Sequence, residues 1–169
     1  MIARSLLSGV VALWLLSGCS AQSAPVDLPR VDLIDEAVAE LGSEREYFEV
    51  AADASGVTLV LRLIETEGDA DEASILAEVH RFEDGRLARI AEPVEADGAH
   101  FIGSAIALDP DRIFGRILDE LDASTVLDLA VQGSPEGRPV YDARVRGSRG
   151  GILLVLLGPD GAILGVQAE

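Results

Sequence analysis

Lysine and asparagine are absent from this 169-residue chain, and cysteine and tryptophan occur once each. Without lysine, neither Schiff-base chemistry nor a P-loop lysine is available. A single cysteine excludes an intrachain disulfide. All the imidazole is in His80 and His100. A zinc site needs three or four His, Cys or carboxylate donors, so no metal centre is expected, and no cofactor motif is present. Bases are scarce too, with 13 arginines against 30 acids and a net charge of −17. Such a surface repels nucleic acid and anionic headgroups, which disfavours both as partners held by general electrostatics.

What is present begins at the amino terminus. One positive charge, Arg4, precedes an apolar run from Ser5 to Leu16. That length suits the core of a secretion signal and falls short of the ~20 residues that span a bilayer. The run ends Leu16-Ser17-Gly18-Cys19, which resembles the lipobox of bacterial lipoproteins. Small residues let a peptidase reach extended backbone, and a thiolate is nucleophilic enough to accept a diacylglyceryl group. The resemblance implies removal of residues 1–18 and lipidation of Cys19, which places the protein in the cell envelope, outside the cytoplasm. In a diderm that is the periplasmic side, and in a monoderm it is the outer face of the plasma membrane. Two or three acyl chains would make the membrane a lasting partner. Loss of Arg4 leaves 12 of the 13 bases against 30 acids, a net charge of −18.

Residues 19–29, small, polar and proline-bearing, read as a lipidated tether. From Arg30 the patterning becomes that of a folded domain. In "VDLIDEAVAELG" the positions Leu33, Ile34, Ala37, Val38 and Leu41 form one helical stripe stopped by Gly42. A second helix opens at Asp109 as N-cap with Pro110 behind it. Its stripe is Ile113, Phe114, Ile117, Leu118 and Leu121. Alternating runs after each helix predict strands: "EYFEVAA", "VTLVLRLIET", "SILAEVHRF", "LARIAEPVE" and "HFIGSAIAL", then "TVLDLAV", "RPVYDARVR" and a hairpin in "GILLVLLGPDGAILGVQ". Asp84-Gly85 and "GPDG" mark turns. The expected fold is therefore α+β, a curved antiparallel sheet packed against two amphipathic helices. The domain, 30–169, reads either as tandem halves, 30–108 and 109–169, each a helix followed by three strands, or as two stretches whose similar patterning is convergent.

Residues 138–167, "RPVYDARVRGSRGGILLVLLGPDGAILGVQ", with the helix before them, resemble a PepSY domain. "REYFEVAADASGVTLVLRLIETEG" with "AEVHRFEDGRLARI" resembles the closing strands of SnoaL-like domains. Both resemblances imply a curved sheet backed by helices. Neither brings an activity, because the longer SnoaL-like helices are missing and no catalytic Asp/His pair of that family maps onto this chain.

Alternation in "SILAEVHRF" puts Glu78 and His80 on one strand face, close enough for a carboxylate to hold an imidazole for acid–base work. Arg62, on the preceding strand, would complete a polar cluster with them; a solvated strand face is the blander reading. His100 reads as a strand end. An EF-hand starting at Asp69 would need Gly and Glu where Ser74 and His80 stand, so the acidic loop is a solvated one. Arg144 and Arg146 share a face of "RPVYDARVR", among the clustered Arg138 to Arg149. They form either an anion-recognition strip or cross-strand pairs with the abundant acids. The run "ILLVLL" would line a lipid cavity or form a central strand buried on both faces. The best-supported reading is a membrane-anchored envelope lipoprotein acting as a non-catalytic binding module for an envelope protein or small ligand. The alternatives are a carrier of a lipid or hydrophobic ligand, and a small SnoaL-like enzyme using Glu78 and His80.

Overall fold

The computed structural model describes residues 28–66, 73–121 and 123–169. The lipobox, Cys19, the tether up to residue 27 and the acidic residues 67–72 lie outside the described residues. In the first half a 3-10 turn at Val31–Leu33 leads into α1 (Ile34–Leu41). It is followed by β1 (Glu46–Asp53), β2 (Val57–Thr66), β3 (Ala73–Glu83), β4 (Arg86–Arg89), β5 (Val94–Glu95) and β6 (Phe101–Ile102). The second half contains α2 (Pro110–Glu120), β7 (Thr125–Gly133), β8 (Pro139–Arg146), β9 (Ile152–Leu157) and β10 (Ile163–Ala168).

All ten strands join one antiparallel sheet, with main order β10-β9-β8-β7-β1-β2-β3-β4. The order is symmetric about the β1/β7 pair, where Ala51 lies opposite Ala130. Among the described residues the first half contributes six strands after its helix and the second four, in place of the three expected of each; β5 and β6 are two-residue strands with no counterpart in the second half. Bulges interrupt the register in β1 after Tyr47, in β7 after Val126 and in β10 after Ile163. An extra residue in one strand bends it and increases local twist, so these bulges curve the sheet.

The helices form as the stripes predict. Ile34, Ala37 and Val38 of α1, and Ile113, Phe114 and Ile117 of α2, are buried. Gly42 ends α1 at a φ of +129°, and the Asp109 carboxylate accepts from the Arg112 N–H at 3.2 Å to cap α2. Both helices join a single core with the same sheet face, which includes Val50, Ala52, Leu59, Leu61, Phe82, Leu129, Val131, Ala143 and Val155. Among the described residues the opposite face carries no helix. Alternation along every strand thus divides the domain into a covered and an uncovered side.

Asp84 and Gly85 both have positive φ, 51° and 69°, as a tight hairpin of this type requires. The "GPDG" turn closes with the Gly161 N–H donating to the Gly158 carbonyl at 2.9 Å. Two strand expectations need correction. "HFIGSAIAL" pairs only at Phe101–Ile102 before turning at Gly103–Ala105, because Gly103 packs so tightly on Tyr47 and Val38 that a Cβ would lie 2.8 Å from each. "LARIAEPVE" splits into β4 and β5 around Pro93, which has no N–H for a ladder. The "ILLVLL" strand, β9, is second from an edge and covered on one face: Val155 and Leu157 are buried, whereas Leu156 is 37% exposed.

Candidate functional site

The sheet separates the residues that the sequence suggested as one cluster. Glu78 and His80 lie opposite Leu61 and Leu59, on the helix-covered face. Glu78 Oε1 and His80 Nε2 are 2.8 Å apart, with side chains 18% and 12% exposed. Arg62 lies opposite Ala77, on the uncovered face, and its guanidinium pairs with Glu46. His100 Nε2 stands 3.6 Å from the other Glu46 oxygen. The expected Arg62–Glu78–His80 cluster therefore does not form, because odd and even residues of a strand point to opposite sides. The Glu78/His80 pair keeps its hydrogen bond, and neither residue lines the trough described next.

The arginine strip is divided as well. Arg144 lies opposite Asp128 across β7/β8 and holds it with a forked set of hydrogen bonds, the Nε donating to the two carboxylate oxygens at 3.0 and 2.8 Å. Arg146 lies opposite Thr125 and Ile152, with no ion pair among the described residues. Arg144 thus follows the cross-strand reading.

The uncovered face has a feature that the sequence did not reveal. Three rows of side chains cross it at right angles to the strands. The middle row runs Ala51, Ala130, Asp142 and Leu156 over β1, β7, β8 and β9. One flanking row is Asp53, Asp128, Arg144 and Leu154; the other is Glu49, Gln132 and Val140. Rows two residues apart stand about 7 Å from one another. Two alanines between longer neighbours make the middle row a trough, with a volume of about 690 Å³.

Its electrostatics follow from this packing. Burial raises Asp142, the Glu49 and Asp128 carboxylates raise it further against the opposing pull of Arg144, and together they push it up to about 6. Glu49 is also raised, first by burial and then by Asp128. Neither has an ion-pair or side-chain hydrogen-bond partner among the described residues. At the neighbouring corner Asp53 behaves in the opposite way. Its Oδ1 accepts from Arg81 Nη2 at 2.7 Å and from the Ser55 hydroxyl and N–H, both at 2.7 Å. Those bonds, the arginine first, hold the Asp53 carboxyl well below its usual range. Arg81 also donates to Thr58 Oγ1 at 2.8 Å, tying β3 to β2 and to the β1–β2 turn.

No family model, curated protein or solved structure matches this chain. The trough is therefore interpreted from its own chemistry. Among the described residues no group of three or more His, Cys, Asp or Glu is placed to hold a metal ion, and no helix is long and apolar enough to cross a membrane. Large apolar side chains mark the same face. Ten such residues are exposed among the described ones, and six of them lie on the uncovered side: Ile64, Ile90, Val94, Ile102, Val140 and Leu156.

Of these features, the sequence showed that Arg144 and Arg146 share a strand face. Asp142 comes two residues before Arg144 in the same alternation and carried the missing signal. Its significance depends on Ala51 meeting Ala130, a register between strands 79 residues apart, which no local pattern reveals.

Proposed function

We propose that this protein is an envelope lipoprotein, anchored through a lipidated Cys19, whose folded domain is a non-catalytic binding module. Its working surface is the uncovered sheet face. The observation that carries the reading is the trough on that face together with six of the ten exposed large apolar side chains among the described residues, Val140 and Leu156 lining the trough itself, since exposed apolar surface gathered on one face marks a docking site. The PepSY-like and SnoaL-like resemblances support the architecture and rest on hairpin motifs. The carrier alternative needs an enclosed apolar cavity, and Leu154 and Leu156 border an open trough. The enzyme alternative needs a cavity beside Glu78 and His80.

Two measurements test the proposal. Cys19→Ser should leave the amino terminus unacylated by intact mass and move the protein out of the membrane fraction, as expected when two or three acyl chains supply the anchor. For the face itself, a photo-crosslinking residue at Val140 or Leu156 should give a discrete adduct in the native envelope, and one at Leu118 on α2 should not. Equal crosslinking from both sides of the domain would refute the assignment of the working surface.

A further inference from the structure

We propose that the trough docks an extended, lysine- or arginine-bearing segment of a protein partner, laid across the strands with cationic side chains beside Glu49 and Asp142 and apolar ones against Val140 and Leu156. This rests on the binding reading above and names the chemistry of what binds.

The dimensions suit such a segment. From β1 to β9 the trough crosses three inter-strand spacings, about 14 Å, which four or five extended residues cover at roughly 3.3 Å each. The alanine floor admits side chains, and the flanking rows leave space for little more than one chain.

Charge complementarity selects the occupant. Arg144 is engaged by Asp128, so the half-buried Glu49 and Asp142 face the trough without a cation of their own. Burying them further under a purely apolar ligand would leave the carboxylates desolvated and unpaired. A second copy of the processed chain, with 12 bases against 30 acids, would bring another net charge of −18 against the first. Anionic lipid headgroups and nucleic acid are repelled by the same acids. A basic segment supplies the missing counter-charge, and its apolar residues cover Val140 and Leu156, which are 45% and 37% exposed. The raised titration of Asp142 agrees with this arrangement, since a cation beside it would favour its charged form.

The experiment uses the full chain in detergent micelles and fluorescent hexapeptides alternating Lys-Leu, Ser-Leu and Glu-Leu, followed by anisotropy near pH 7.5 at physiological ionic strength. The Lys-Leu peptide should bind at least about tenfold tighter than the Ser-Leu peptide, a difference of ~1.4 kcal/mol. Glu49→Gln with Asp142→Asn should remove about tenfold of that affinity. Glu36→Gln with Glu40→Gln removes the same formal charge from α1 and should change binding by less than about twofold. Ala51→Leu, which fills the floor without changing charge, should weaken binding as much as the trough double variant, with an unchanged thermal transition showing that the fold persists. Failure of the Lys-Leu peptide to bind, or equal effects of the two charge-neutralising pairs, would overturn the inference. So would spermidine binding as tightly as the peptide, which would leave the apolar contacts without a role. Equal affinity for Lys-Leu and Ser-Leu, with both lost in Ala51→Leu, would overturn the charge assignment and leave the binding face standing. Indifference of every probe to Ala51, Val140 and Leu156 would remove the face itself.

Discussion

Asp142→Asn offers a quantitative test of the trough's electrostatics. The folded domain raises this carboxyl from 3.8 to about 6, chiefly by burial. A raised folded-state value means that the native protein holds a proton which the unfolded chain releases. The group's stabilising contribution is therefore complete below pH 3.8 and is lost as pH rises through about 6. At about 1.36 kcal/mol per pH unit, a two-unit shift sets a ceiling of ~3 kcal/mol. One side of Asp142 is open to water, so screening reduces the expected penalty to about 1–2 kcal/mol. Asparagine imitates the protonated form in shape and never ionises. The variant should therefore melt about 3–6 °C above the parent at about pH 7.5, and the two should converge near pH 4. Differential scanning fluorimetry across that range checks the claim. A variant that melts lower at neutral pH, or a gain that does not change with pH, would show that Asp142 is not a desolvated carboxylate. The same substitution is expected to weaken binding, so this position exchanges stability for recognition.

Gly133→Ala should be among the most damaging small changes, because a Cβ there would sit 2.4 Å from the His100 backbone nitrogen. A loss of about 2 kcal/mol or more in denaturant titration is expected, and wild-type stability would contradict the packing of residues 99–100 across β7. Arg81→Ala should cost about 1–3 kcal/mol by leaving Asp53, Ser55 and Thr58 without their shared donor, measured as a lower chemical midpoint. Asp53 has a depressed folded-state value, so its contribution is present above the unfolded value near 3.8 and lost as pH falls through the folded one. Parent and Arg81→Ala should accordingly come closer in stability under strongly acidic conditions, and a constant gap down to the acid limit would exclude the ion pair as its source.

The helices were legible because each needs only local information, a stripe of period 3.6 and a terminating or capping residue. Asp109 and Gly42 act in the structure as their chemistry predicts. Strand faces were legible for the same reason: the period of two placed Glu78 with His80 and Arg144 with Arg146. Relations between strands were not. Arg62 belongs to the face opposite Glu78 because Leu61, and not its neighbour, stands across from Glu78, a fact of register. The shortness of β6 depended on Gly133 and Gly103, whose tight contacts with distant segments leave no trace in local composition. The trough required both kinds of knowledge, since an alanine in a strand becomes a floor only when another lies across from it.

The antiparallel junction of β1 with β7 makes each half the other's template. Severed from its neighbour, the second half would present β7 with one hydrogen-bonding edge bare, and the first half would present β1 bare over Glu49–Asp53, where β6 does not reach. A gene fragment encoding one half alone would therefore tend to associate with its twin, rebuilding by assembly what the intact polypeptide achieves by covalent linkage. In the full chain the linker between the halves keeps that union stoichiometric and independent of concentration.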